Sequence, residues 1–135
     1  MNTWYSLLNI FFFIFHTAFT LFNIFGWTIP PFRKWNLITL LLTAFSWFFL
    51  GIWYGWGYCL CTDWHFKVRS LLGFHDPESS YIRFLILKLT GKDFNETLVE
   101  TVTLLVFIIS LVMSLWLNIR DRKRHQKQTT ILHED

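Results

Sequence analysis

Charge is what this sequence has least of for its length. Charged residues occupy 16% of the 135 positions, whereas hydrophobic residues occupy 53%. A soluble domain of this size needs more charge to cover its surface, so the balance predicts a lipid-facing exterior. The net charge of +3, from 12 basic and 9 acidic residues, is too small to indicate nucleic-acid binding.

Cysteine and the signatures of catalysis are scarce too. Two cysteines cannot form a disulfide framework. The first residues, Met1 to Trp4, carry no basic n-region, and the apolar run after them is too long for a signal peptide. We therefore expect the first apolar segment to be a retained anchor. The apolar segments contain no nucleophile–base pair, phosphate-binding loop or acidic dyad, and this pattern favours a protein that is not an enzyme.

What is abundant is apolar sequence in long runs. Residues 4–27, 35–57 and 97–118 form three such segments. The first two correspond to helices of about 36 and 34 Å, enough to cross a hydrocarbon core of about 30 Å. The pair Pro30-Pro31 separates them. The sequence therefore predicts an all-α membrane protein with three transmembrane helices in one integral membrane domain, residues 1–118.

The connector between the second and third spans is too charged to cross a membrane. Its pattern predicts two short amphipathic helices, at about 62–72 and 77–90, which we expect to lie flat in the membrane interface. Thr62 is the predicted N-cap of the first, and Gly73 its end. The second is predicted to start at Asp76-Pro77-Glu78 and to end at Gly91.

The third span and the tail carry their own signals. Asp93 and Glu96 resemble a capping box at the start of the third span. Residues 119–135 form a basic tail that we expect to fray at its end. This tail and Arg33-Lys34 lie on one side of a three-span protein. The positive-inside rule therefore predicts a cytoplasmic C-terminus and an outside N-terminus. The connector also carries five basic residues, which weigh against this orientation: Lys67, Arg69, Arg83, Lys88 and Lys92.

Polar residues inside the spans recur along one side of each helix. We call this set the polar seam, and its members are Asn9, His16, Asn23, Ser46, Glu100 and Ser110. Unpaired polar groups are costly in lipid, so a three-helix bundle is expected to bury the seam. His16 lies near the middle of its span. It is either a neutral imidazole bonded to Ser46, Ser110 or Thr20, or a functional group such as a proton relay.

A second candidate site lies where the second span ends. Cys59, Cys61, Asp63 and His65 alternate along the chain, and all four residue types ligate metals. An extended chain would bring them together, whereas a helix capped by Thr62 would separate Asp63 from His65. The other interpretations are a structural turn anchored by aromatic side chains and a strained, labile disulfide between the two cysteines.

The two candidate sites are expected to be separate. By residue count, His16 lies roughly 13–18 Å below the outer end of its helix. Only a connector that dips back into the bundle would join His16 to the Cys59–His65 stretch.

The end of the second span resembles a known family. The stretch from Ser46 to His65, together with Ser-Tyr-Ile (80–82), Leu-Thr-Gly (89–91) and Ser-Leu-Trp-Leu-Asn (114–118), is similar to the domain of unknown function 2784 family. The resemblance runs from about His16 to Arg122 and implies a small bacterial membrane protein with a cysteine-containing turn after the second span. Cys59 and Thr62 match the frequent Cys-Pro-Leu-Thr pattern, whereas Leu60 and Cys61 depart from it. The family carries no agreed activity.

Three hypotheses of function follow. The first is a non-enzymatic accessory or interaction subunit, with the lipid bilayer, other membrane proteins or a second copy as partners. The second is a metal- or haem-binding redox protein that uses some residues of the two candidate sites. The third is a small transporter or proton relay through the polar seam, which would require oligomerisation.

Overall fold

The computed structural model describes residues 2–76 and 80–134, and over these residues the chain is helical without β-strands. Three helical stretches are long and apolar enough to cross a membrane: Thr3–Thr28, Pro30–Tyr54 and Glu96–Glu134. Shorter helices lie between the second and third. The predicted all-α class with three candidate spans and shorter connector helices is confirmed.

The first two spans form a helical hairpin. Helix α1 comprises Thr3–Phe25, and the Asn2 side chain accepts a hydrogen bond from the amide of Trp4 at its start. Two short 3₁₀ turns, Gly26–Thr28 and Pro30–Phe32, lead into helix α2, Arg33–Phe45. The second span then continues through a π-helical segment, Ser46–Leu50, and helix α3, Gly51–Tyr54.

A buried amide closes this hairpin. Asn36 is fully buried, and its Nδ2 donates to the carbonyl oxygens of Phe22 (2.7 Å) and Asn23 (3.3 Å) at the end of α1. The last carbonyls of a helix have no partner within the helix, so Asn36 serves as their cap. A Cβ at Gly26 would lie 2.8 Å from Asn36 Nδ2, so only glycine lets the amide approach this closely.

The connector contains helix α4, Leu60–Leu71, and helix α5, Tyr81–Thr90. The predicted cap at Thr62 is wrong, because the helix starts earlier and extended Cys59 precedes it. Gly73 follows α4 with a φ of 83°, and Gly91 caps α5 with a φ of 71°, so both helices end at a glycine as predicted. The predicted start at Asp76-Pro77-Glu78 falls partly outside the described residues.

Helix α6 runs from Glu96 to Glu134, about 58 Å at the usual rise. Its start is capped by Asn95, whose Oδ1 accepts from the amide of Leu98, and not by Asp93 as predicted. Asp93 instead accepts two bonds from Arg83. The tail was expected to fray, but α6 stays helical to Glu134. Residues 119–134 contain no glycine or proline, and extending an existing helix costs less than nucleating one.

Side-chain hydrogen bonds join the three spans at one end. There Arg33 Nη1 donates to Asp121 Oδ2 at 2.8 Å, and Asn118 Nδ2 donates to the Arg33 carbonyl oxygen at 3.0 Å. Leu40, two turns further along α2, is also fully buried. Towards its N-terminus, α1 contacts the connector instead. The structure therefore has a closed end near Arg33 and a second end that the connector helices cover.

The connector packs on α1 through an aromatic cluster. Tyr81, Phe84 and Leu85 of α5 form its buried centre, with Phe13 of α1 and Phe66 of α4 against them. Burial of apolar and aromatic surface stabilises this arrangement. The two connector helices are therefore attached to the bundle, and their position flat in the membrane interface stays a prediction.

Candidate functional site

A buried polar network joins α1, α4 and α5. His65 of α4 is fully buried, and its two ring nitrogens have different partners. Nδ1 lies 2.5 Å from the hydroxyl of Tyr81 on α5, and Nε2 lies 2.8 Å from Oδ1 of Asn9 on α1. One imidazole thus ties three helices together.

Arg69 fixes the direction of these hydrogen bonds. Its Nη1 lies 3.3 Å from the same Asn9 atom, and a guanidinium can only donate, so that atom is the amide oxygen. His65 Nε2 must then carry a proton and donate to Asn9. In a neutral imidazole Nδ1 is consequently the acceptor, and the Tyr81 hydroxyl donates to it. The network therefore specifies one tautomer of neutral His65.

The charges around His65 favour that neutral form. Burial lowers the pKa of His65 to about 4, and the positive charge of Arg69 adds to the effect. Arg69 itself is buried, with its Nε and Nη2 bound to the two carboxylate oxygens of Asp76. Burial also raises the pKa of the Tyr81 hydroxyl well above its usual range, so it remains a donor.

Tyr81 connects the two sites that the sequence kept apart. Its ring lies 4.1 Å from the His16 ring, centroid to centroid, and its hydroxyl contacts His65. The residue count for His16 assumed that the connector stays at the rim of the bundle. The structure differs because α4 and α5 pack along α1, so that α5 begins beside the middle of the first span. His16 and His65 therefore belong to one cluster.

A cavity of about 1210 Å³ lies between the three spans and the connector. Asn23, Thr43 and Ser110 line it, together with apolar and aromatic side chains of the spans. His16 and Tyr81 line it where the connector covers the bundle. Binding pockets commonly combine mostly apolar walls with a few polar groups, and this cavity has that composition.

The charged groups of the cavity are mainly acidic. Asp63, Asp76, Glu96 and Glu100 line it, and Lys67 is the one Lys or Arg among the lining residues that the structure describes. Lys67 is paired with Asp63 at 2.7 Å. No Lys, Arg or His among residues 2–76 and 80–134 lies within 4.0 Å of the Glu100 carboxylate. Asp76 is paired with Arg69, and Glu96 lies 3.8 Å from Arg83. Among the described lining residues, Glu100 is therefore the carboxylate without an ion-pair partner.

The residues of the polar seam have different surroundings. Asn23 Nδ2 donates to Thr43 Oγ1 at 3.1 Å, and Ser110 Oγ lies 3.5 Å from the Ile24 carbonyl oxygen. Those contacts join the spans. Asn9 and His16 face the connector, Ser46 Oγ donates to the carbonyl oxygen of Tyr58, and Glu100 is exposed. The seam is therefore not one continuous contact between the three helices.

The four candidate metal ligands do not converge. Within the described parts of the chain, no group of three or more His, Cys, Asp and Glu side chains is arranged to hold a metal ion. Asp63 pairs with Lys67, and both nitrogens of His65 are engaged. Cys59 and Cys61 are free, half-buried thiols, and burial raises the pKa of Cys61. The cause is the early start of α4, which turns alternate residues to different faces.

Three contributors to these sites were missed from the sequence: Asn36, Arg69 and Tyr81. Asn36 shares a helical stripe with Thr39 and Thr43, and this spacing could have revealed it. Arg69 and Tyr81 gave no such signal. A basic residue and a tyrosine on short amphipathic helices are usual at a membrane surface, and only their packing against Asn9 and His65 distinguishes them.

The family assignment follows from comparison with known proteins. A family model described as "Protein of Unknown function (DUF2784)" matches residues 6–119. The chain belongs to this family. The match confirms the suspected family, and its bounds are close to the expected range from about His16 to Arg122. No curated protein and no solved structure matches the chain. The family description assigns no activity, so function has to be argued from the site.

Proposed function

We propose that this member of the family is a non-enzymatic membrane protein whose central cavity binds an amphiphile. The proposal rests on the cavity of about 1210 Å³ between three apolar helices. Such a space exceeds the roughly 300–1,000 Å³ of typical ligand pockets, so it suits a long apolar chain. As an accessory subunit, the protein would hold this molecule for a partner in the same membrane.

The lining indicates the chemical class of the ligand. Phe19, Trp47 and Phe107 provide apolar surface for a hydrocarbon chain, and the Trp47 and Phe107 rings are 4.8 Å apart. The Glu100 carboxylate, which has no ion-pair partner among the described residues, would repel an anionic head. An uncharged, hydroxyl-bearing head or a cationic head is therefore favoured, because both can donate hydrogen bonds to carboxylates.

Aromatic side chains support a membrane location. Trp4, Trp53 and Trp56 are exposed towards one end of the hairpin, and Trp35 and Trp116 towards the other. Such belts are typical of membrane interfaces. Arg33 and the basic part of α6 share one end, joined by the Arg33–Asp121 ion pair. We propose that this end faces the cytoplasm in the inner membrane.

Blocking the cavity should weaken binding. Thr103 lines the cavity and bonds only to its own helix, through Val99 O at 2.7 Å. Thr103→Trp is expected to reduce cross-linking of a photoactivatable monoacylglycerol about tenfold, because the indole would occupy space that the acyl chain needs. The measurement is cross-linking of detergent-purified protein, with the labelled residues mapped by mass spectrometry.

Thr101 offers a matched control. It lies on the same helix, is exposed, and bonds to Thr97 O at 2.7 Å. Thr101→Trp should leave cross-linking unchanged, and an equally labelled fatty acid should react less because its carboxylate is repelled. Equal labelling of both variants, or labels confined to lipid-facing residues, would refute the cavity as a binding site.

The proposed orientation has its own test. If the connector faces outside, a membrane-impermeant maleimide added to intact cells should label Cys59 or Cys61. Burial raises the pKa of Cys61, so labelling should be slower there at neutral pH. Detergent-opened cells give the full extent of reaction. Cysteines that react only after opening would reverse the orientation.

A further inference from the structure

Two cations stand over one aromatic ring on the flank of the bundle. The Arg69 guanidinium carbon lies 4.8 Å from the Phe84 ring centroid, and Lys88 Nζ lies 5.8 Å from it. Asn9, Ile10 and Phe13 of α1 complete a second cavity there, of about 330 Å³. We call it the flank site, and it is separate from the central cavity.

The flank site has positive charge to spare. Asp76 offsets the charge of Arg69 through two hydrogen bonds. Lys88 is exposed, and no carboxylate in the described stretches of the chain lies within 4.0 Å of its ammonium. The guanidinium has five N–H groups and uses three of them for Asp76 and Asn9. An anion between Arg69 and Lys88 would therefore find unused donors.

The surface beside the flank site is apolar. Ile10 and Ile14 lie along the exposed side of α1 and are 54% and 61% exposed. They continue from the site along the first span, where a hydrocarbon chain could lie against them. A phospholipid combines a phosphate with hydrocarbon chains, so it matches a site where cations lie beside an apolar strip. The positive charge favours an anionic head over a zwitterionic one.

We propose that the flank site binds the headgroup phosphate of an anionic phospholipid between α1, α4 and α5. The inference depends on the proposed membrane location but not on any occupant of the central cavity. Lys88 provides the uncompensated charge, and Arg69 and Asn9 border the phosphate on its other side. The bound lipid would link the connector to the first span from outside the bundle.

Native mass spectrometry of the detergent-purified chain tests this site. Phosphatidylglycerol and phosphatidylcholine with identical acyl chains are added separately. The wild-type chain should bind phosphatidylglycerol more tightly, and Lys88→Gln should weaken that binding about fivefold, the usual effect of one basic residue near a lipid surface. Lys92→Gln is the matched control, because Lys92 is exposed on the same connector and does not line the flank site. It should bind as the wild type does.

Each other outcome would overturn the inference. Equal binding of the two lipids, or equal effects of Lys88→Gln and Lys92→Gln, would remove the charge selectivity. Displacement of the lipid by millimolar inorganic phosphate would assign the site to free phosphate. Loss of phosphatidylglycerol binding in Thr103→Trp but not in Lys88→Gln would move the lipid to the central cavity. That result would keep the cavity as a binding site but contradict its proposed preference for uncharged or cationic heads.

Discussion

Asp76→Asn is expected to lower the free energy of unfolding by about 3 kcal/mol. The substitution keeps the shape of the side chain but leaves the Arg69 charge buried without its carboxylate partner. Arg69 is 7% exposed at its side chain, and removal of one member of a buried ion pair costs about 3–5 kcal/mol. Thermal unfolding in detergent, with the cavity ligand absent, measures the loss.

A second ion pair on α4 provides the control. Asp63 and Lys67 are 2.7 Å apart, but the Lys67 side chain is 69% exposed. Pairs in solvent contribute about 0–1 kcal/mol, so Asp63→Asn should change stability little. Equal losses in the two variants would mean that Asp76 contributes no more than a surface charge, and that Arg69 is not held in the buried network.

Stability is expected to fall as the pH is lowered from 7 towards 4.5. The folded protein holds His65 at a pKa of about 4, whereas the unfolded chain has the ordinary value of 6.5. Between these values the unfolded chain binds a proton that the folded chain does not. The stabilisation is therefore complete above pH 6.5 and is lost as the pH falls towards 4, by about 3 kcal/mol in all.

His65→Gln separates this effect from other titrations. The groups around His65 are Arg69, Asp76, Tyr81 and, across the Tyr81 ring, His16. Glutamine can still donate to Asn9 but does not titrate in this range. Melting temperatures measured across the pH range should fall less steeply in the variant. Identical slopes in the wild type and in His65→Gln would assign the pH dependence to another group.

The His65 network also holds the connector in place over the central cavity. Asn9, His65 and Tyr81 hold α4 and α5 against α1, where the connector covers the cavity. Loss of these bonds would therefore change both stability and access to the cavity. Variants at Thr103 and Lys88 avoid the network, so they test ligand binding without releasing the connector.

The all-α class with three candidate spans could be predicted from the sequence, because it depends on local sequence patterns. Each span is a continuous apolar run, and a backbone in lipid has to satisfy its own hydrogen bonds, so such a run has to be helical. Gly73 and Gly91 were predicted as helix ends because a left-handed residue there favours glycine. The sequence could not show that Asn95 and not Asp93 caps α6, because the Arg83 partner of Asp93 comes from a different helix.

The arrangement of the sites was decided only by tertiary packing. Residue spacing located His16 and the Cys59–His65 stretch but kept them apart, since it carries no information on where a connector folds. Once α4 and α5 pack on α1, Tyr81 lies between His16 and His65, and Arg69 lies beside Asn9. The sequence by itself therefore determined the spans and their polar residues. The tertiary structure decided which of those residues meet, because hydrogen bonds and ion pairs between helices depend on distances that no local pattern contains.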